Sequence, residues 1–456
     1  MSALWTADDI WSVLGVRAPA DFAATGISID TRTLQPGDLF VALVTGTGDG
    51  HRFAADALAR GAAGALVHGE APADPRCIRV ADTLAALNDL ARHARARSRA
   101  RVVAITGSVG KTSTKEMLRT ILAAQGKTHA AVASYNNQWG VPVTLARLPR
   151  DADYAVVEIG MNHAGEILPL ARLARPHVAV ITAVEKAHVG HLGSLDAIAD
   201  EKAAILRGLE PDGVAVLPRD SAMLPRLSAL ARGLRVVTFG ASQMADARLL
   251  EAEGDADGSD VIARIGGDAV TFRLAAPGQH MAMNAVAALT AAQVLGVAPA
   301  AAAAALATFA PLAGRGLRAT VAIPGGSVLL LDESYNGQPP SMRAALSVLK
   351  LQPGRRVAVL GDMRELGEES EDEHLALRDP VEDAADVLFA CGPYMRVLYD
   401  AVDEDLRGAW MESSEELAPL VVAALADGDA VLVKGSLGTR MKPIVDAIRA
   451  AKDGAA

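Results

Sequence analysis

From Arg101 onward the chain alternates two patterns. Short, unbroken apolar runs rich in valine and isoleucine are separated by longer stretches with apolar positions at helical spacing. The runs are 102–106, 155–159, 178–182, 214–217, 236–239, 328–332, 357–360, 387–391 and 430–434. Runs with no polar face predict strands of a parallel sheet covered by helices on both sides. The segment 252–274 differs, because Gly254, Gly258, Gly266 and Gly267 punctuate alternating stretches. It predicts a small antiparallel excursion. Helices are expected over 84–96, 284–295 and 300–309. The most apolar stretch, 282–312, is broken by Asn284, Thr290, Gln293, Gly296 and Pro299, which fits helices and not a membrane span. Boundaries near 81 and 314 divide the chain into 1–81, 82–313 and 314–456.

Composition narrows the function. A length of 456 residues suits about three domains of roughly 150 residues. Lys and Arg total 44 against 54 Asp and Glu, a net charge of −10, which disfavours a nucleic-acid backbone as partner. Cys77 and Cys391 are too few and too far apart for a disulfide framework or a zinc site. The N-terminus carries Asp8 and Asp9 where a signal peptide would be basic. A soluble, cytoplasmic protein is expected.

The chemistry centres on Gly107-Ser108-Val109-Gly110-Lys111-Thr112, which follows the strand 102–106 and opens a helix running to Gln125. Glycines let backbone N–H groups converge on phosphate oxygens, and the helix N-terminus adds partial positive charge. Lys111 supplies a mobile cation, and the Thr112 hydroxyl can ligate Mg²⁺. Position 105 is Ile, where the full phosphate-loop pattern has Gly. A plain strand-to-helix turn with a surface lysine is the competing reading.

Further signals follow in order. They are Asn136-Asn137-Gln138-Trp139-Gly140, Glu158-Ile159-Gly160-Met161-Asn162, Ala187-His188, Lys202, His280 with Asn284, and Gly314-Arg315-Gly316. Then come Asp332-Glu333-Ser334-Tyr335-Asn336, Gly361-Asp362-Met363-Arg364-Glu365-Leu366-Gly367 and Lys434-Gly435-Ser436. As a set, spanning nearly the whole chain from Asp30-Thr31-Arg32, they resemble the Mur ligases, which build the peptide stem of peptidoglycan. The stretch 332–342, DESYNGQPPSM, resembles the branch that adds D-alanyl-D-alanine to UDP-N-acetylmuramoyl-tripeptide. Two stretches depart from that pattern. Gly337-Gln338 stands where Ala-Asn is usual, and Leu437 where Arg is usual.

The resemblance implies an α/β fold of three domains. A small α/β domain at 1–81 would bind the UDP-sugar, and a central P-loop ATPase-like parallel sheet at 82–313 would bind ATP. A Rossmann-like ligase domain would occupy 314–456. It implies a monomer that uses ATP and Mg²⁺. It also assigns roles. Lys111, Glu158, His188 and Lys202 would be catalytic, and Thr112, Glu158, His188 and Lys202 would serve the metal, Lys202 as a carbamate. The nucleotide would meet Gly107, Ser108, Val109, Gly110, Lys111, Thr112, Ser113, Asn284, Arg315, Asp332 and Tyr335. The substrates would meet Thr31, Arg32, Asp49, Gly50, His51, Asn136, Asn137 and Lys434. Taken singly, each has a bland reading: Glu158 a strand-end carboxylate, His188 a structural histidine with His191 as competitor, Lys202 a solvated salt-bridging lysine. Folylpolyglutamate synthetase is a rival within the class, and a nucleotide switch without ligation is a rival outside it. Three domains around one cleft suggest closure on substrate binding.

Overall fold

Buried valine and isoleucine set the architecture. The fold is seen in a computed structural model that describes residues 3–451 apart from Thr47, Ala133, Ala187 and His188, with Val189 and His191 described by their backbone alone. Among the described residues, three main sheets follow one another along the chain. The first has four parallel strands in the order Gly26–Ser28, Asp38–Val41, Gly64–Val67 and Cys77–Arg79.

The second sheet has nine strands. Their order is Thr128–Ala130, Tyr154–Glu158, Arg101–Thr106, Val178–Ile181, Val214–Pro218, Arg235–Gly240, Ala247–Gly254, Ser259–Ile265 and Asp268–Leu274. Pairing is parallel as far as Ala247–Gly254 and antiparallel for the last two strands. The antiparallel excursion therefore begins at Ala247, earlier than the glycine pattern suggested. The third sheet runs Leu317–Ile323, Gly326–Glu333, Ala430–Lys434, Arg356–Gly361, Val387–Cys391 and Arg407–Met411, parallel except for its first pair.

Helices cover both faces of the central sheet around Arg101–Thr106, Tyr154–Glu158, Val178–Ile181 and Val214–Pro218, which is why these strands are buried almost throughout. The helix Lys111–Ala123 buries Met117, Leu118, Ile121 and Leu122 against Ala285, Val286 and Leu289 of the helix Gln279–Val294. On the opposite face the helix Thr83–Arg97 is capped by Asp82, whose carboxylate accepts from Leu84 N at 2.7 Å. Its Leu87, Leu90 and Ala91 join one core that runs from Trp5, Ile10 and Leu39 to Val102 and Ala104. The first and second sheets are thus tied by shared apolar packing, and Trp5 Nε1 adds a hydrogen bond to Ala146 O at 2.9 Å. The alanine-rich region forms Gln279–Val294 and Pro299–Leu306, and no helix of the described residues is long and apolar enough to cross a membrane.

Arg101–Thr106 lies between Tyr154–Glu158 and Val178–Ile181. Their carboxyl ends meet at one edge of the sheet, where ligands bind in open parallel sheets.

Candidate active site

Two glycines shape the loop at that edge. Gly110 has φ +81°, and a Cβ there would stand 2.3 Å from Asn284 Oδ1. A Cβ on Gly107 would stand 1.9 Å from Thr182 Oγ1. Any larger residue at either position would displace a neighbour. Thr182 then fastens the loop, its hydroxyl donating to Val109 O at 2.6 Å. Ser108 Oγ donates to Glu185 O at 3.0 Å and accepts from Glu185 N at 2.9 Å. Gly110 gives the helix no side-chain cap, so the first N–H groups of Lys111–Ala123 face the loop unsatisfied by any side chain. Lys111 Nζ curls back to Gly107 O at 2.6 Å. Burial pulls this ammonium down to about 8, against the opposing pull of Glu158.

Glu158 ends its strand with 0% exposure. One carboxylate oxygen accepts from Thr112 Oγ1 at 2.8 Å and the other from Asn136 Nδ2 at 2.8 Å. Both partners are neutral, so a buried negative charge stands beside the loop among hard oxygen donors. That donor set fits Mg²⁺. Lys202, on the helix Leu195–Ala203, is 1% exposed, and its side-chain ammonium donates no hydrogen bond to any described residue. Burial holds it well below the ordinary lysine range, and the nearby Lys111 charge acts in the same direction. Glu201 offers it little, since its carboxylate accepts from Gly165 N and Ile167 N, both at 2.8 Å. The solvated salt-bridging lysine is therefore not what the structure shows. A neutral, desolvated amine is the form that adds carbon dioxide. His188 lies outside the described residues, and so does the side chain of its competitor His191.

The third sheet closes the site from the other side. Arg315 reaches Ser134 Oγ at 2.8 Å and lies over the Tyr335 ring at 4.1 Å. Asp332 is engaged within its own surroundings, accepting from Ser334 Oγ at 2.6 Å and Arg449 Nη2 at 3.3 Å. Lys434, 2% exposed, donates to Asn336 O at 3.0 Å and pairs with Glu333 at 3.4 Å.

Three family models match along the chain. The Mur ligase family, catalytic domain, matches 23–95; the Mur ligase middle domain matches 105–292; the Mur ligase, glutamate ligase domain, matches 320–437. Among relatives, UDP-N-acetylmuramoyl-tripeptide--D-alanyl-D-alanine ligase of Escherichia coli (strain K12) is 35% identical over 94% of this chain and 95% of its own. The chain belongs to the Mur ligase family. The ligase of the same name from Bacillus subtilis (strain 168) is 33% identical, covering 92% of each chain. A crystal structure of MurF from Acinetobacter baumannii superposes with a TM-score of 0.85 at 31% identity, covering 98% of this chain and 99% of that one. MurF ligase from Thermotoga maritima in complex with ADP shares the fold at a TM-score of 0.78 and 24% identity, covering 94% of this chain and 98% of that one.

In this Mur ligase the N-terminal residues expected to meet the substrate stand at the carboxyl ends of two neighbouring strands. Thr31 and Arg32 follow Gly26–Ser28, and Asp49, Gly50 and His51 follow Asp38–Val41. Arg32 is forked onto Asp30, Nη2 to Oδ2 at 2.6 Å, and its side chain is 86% exposed. A Cβ on Gly50 would stand 2.8 Å from Leu43 O, so the glycine serves close backbone approach. His51 is fixed at both ring nitrogens, with Asp49 Oδ1 at 2.6 Å and His68 N at 2.9 Å. Asn137 Oδ1 accepts from Trp139 N at 3.1 Å and Gly140 N at 2.9 Å just ahead of the helix Gly140–Ala146, while its neighbour Asn136 faces Glu158. Thr182 and Ser134 were not singled out from the sequence. Thr182 carries a weak signal, a hydroxyl just past a buried apolar strand; Ser134 carries none.

Proposed function

We propose that this chain joins D-alanyl-D-alanine to UDP-N-acetylmuramoyl-tripeptide while converting ATP to ADP and phosphate. The full-length likeness to ligases of that name supports the substrates. The observation that carries the chemistry is the convergence of Lys111, Thr112 and Glu158 on one glycine loop. The tripeptide's terminal carboxylate takes the γ-phosphoryl group and ADP leaves. The dipeptide amine then attacks the acyl carbon, phosphate departs, and the nitrogen gives up a proton. Phosphoryl transfer asks a protein chiefly for positioning and charge neutralisation.

The chain's groups divide that work. Gly107 to Ser113 hold the phosphates through backbone N–H groups, and Lys111 turns from Gly107 O to the β/γ oxygens. Arg315, held over Tyr335, adds a cation from the C-terminal side, and Asn284 lies against the loop beside the nucleotide. Thr112 and Glu158 would hold Mg²⁺, with His188 and a carbamate on Lys202 serving a second metal position. Bound Mg²⁺ supplies neutralisation of phosphate charge. Thr31, Arg32 and Asp49 to His51 hold the UDP-sugar, and Asn136 and Lys434 line the substrates' path. The use of ATP and of a UDP-linked precursor supports a cytoplasmic reaction.

The deciding experiment is phosphate release from ATP with UDP-N-acetylmuramoyl-tripeptide, with and without D-alanyl-D-alanine. Release that requires both, with a pentapeptide product by mass, is expected. Turnover with a free amino acid in place of the dipeptide would keep the ligase class and overturn the acceptor. In the same assay Lys202→Ala should be inactive and regain turnover with acetate; full activity without acetate would remove the carbamate.

A further inference from the structure

D-alanyl-D-alanine brings a carboxylate as well as an amine, and a carboxylate entering a protein cleft needs a cation. This step rests on the acceptor proposed above. The cations of the C-terminal domain are almost all committed. From Arg318 to Arg449, every arginine and lysine has an acidic partner within 4.0 Å except Arg364 and Arg407. Arg407 donates to the backbone oxygens of Asp400 and Val402, both at 2.8 Å. Arg315 is drawn to Ser134 and Tyr335. Among the described residues Arg364 alone in this set donates nothing from its guanidinium, and it is exposed.

Its position matches the need. Arg364 follows the strand Arg356–Gly361 at the carboxyl edge of the third sheet, where two other loops converge. Ser436 N and Thr439 Oγ1 both donate to Asp362 O at 3.1 Å, and Gln338 Nε2 donates to Arg364 O at 3.4 Å. The stem of Arg364 crosses Gly438, where a Cβ would stand 2.9 Å from its Cδ and 3.2 Å from its Nε. The missing side chain at 438 thus seats the arginine beside Lys434-Gly435-Ser436. Gln338 Oε1, buried at the same junction, has no hydrogen-bond partner among the described residues and can accept an N–H.

We propose that Arg364 binds the carboxylate of the incoming dipeptide and makes the enzyme require an acceptor with a free C-terminal acid. A planar guanidinium holds a carboxylate by two parallel hydrogen bonds. The test compares KM for D-alanyl-D-alanine and for its C-terminal amide in the wild-type enzyme, Arg364→Ala and Arg364→Lys, with KM for ATP measured alongside. Arg364→Ala should raise KM for the acid about ten- to a hundredfold, the loss expected for a charge-assisted hydrogen bond. It should leave KM for ATP and for the amide unchanged, so the preference for the acid disappears. Arg364→Lys should keep part of that preference. An unchanged KM for the acid, an equal loss on acid and amide, or a rise in KM for ATP instead would each overturn the assignment. A wild-type enzyme that needs no dipeptide would overturn the ligase reading itself, which is a separate result. Because the side chain is exposed, the unfolding midpoint of either variant should match the wild type.

Discussion

Glu158 is a charge the fold tolerates rather than uses. It is fully buried and forms no ion pair among the described residues, and its two hydrogen-bond donors are a hydroxyl and an amide. Burying a carboxylate with no cation in direct contact costs stability, and Lys111 acts on it only from a distance. Active sites keep such charges because the ligand supplies the missing positive partner. Glu158→Gln keeps the shape and removes the charge. Turnover should fall at least about a hundredfold, as for loss of one preorganised electrostatic group. The unfolding midpoint should stay level or rise. A large fall in the midpoint would instead make Glu158 a structural residue, and retained turnover would remove its role. The sequence exposes Glu158 because it ends an apolar run and sits in a motif. Thr182 and Ser134 stay hidden because each acts across packing on a residue far along the chain, Val109 in one case and Arg315 in the other.

Among elements, the loop after Arg356–Gly361 depends on one neutral histidine. His374, 0% exposed on the helix Ser370–Leu375, accepts from Met363 N at 2.9 Å and donates from Nδ1 to Ser370 O at 2.5 Å. Only the neutral ring can do both. Burial lowers its pKa below 6.5, while Asp362 and Glu373 nearby pull the other way. The unfolded chain therefore binds the proton more readily, so this contribution is present above about pH 6.5 and is lost as pH falls below it. Denaturant unfolding at pH 7.5 and 5.5 should show lower stability at 5.5, by up to about 1.4 kcal/mol per pH unit from this group. His374→Gln should flatten the slope, leaving the part due to the other buried histidines. An unchanged slope would mean the ring is not the group that titrates. The same scale separates what a sequence reader sees. Strands of the central sheet show because both faces are buried, giving unbroken apolar runs. Gly26–Ser28, Cys77–Arg79 and Thr128–Ala130 are three residues each, too short for a period, and Arg407–Met411 is a half-exposed edge with arginine and glycine in it. Their pairing is decided by the neighbouring strand.

At the scale of the whole molecule, the ties between the central and C-terminal parts around Gly190 and Arg315 are polar. Arg315 reaches Ser134, Lys186 pairs with Glu369 at 2.8 Å, and Gly190 N donates to Glu365 O at 3.1 Å. At the last of these, backbone meets backbone. A Cβ on Gly190 would stand 3.1 Å from Gly367 N and 3.2 Å from Glu365 O. Exposed ion pairs contribute little, so this junction is weak enough to open and close, and close approach at Gly190 sets how far it closes. Gly190→Val should therefore act mainly on assembly of the site and little on ADP binding, because the phosphate loop Gly107 to Thr112 belongs wholly to the central domain and the C-terminal side adds only Arg315, Asp332 and Tyr335. The expected result is a Kd for ADP within about threefold of wild type and a kcat at least about tenfold lower, the pattern of an enzyme that binds but cannot complete its site. Unchanged kcat would show that the two glycines do not meet during turnover. A matching loss of ADP affinity would show that the substitution had disturbed the nucleotide site itself and not only its closure, and the split between the two measurements tells these cases apart.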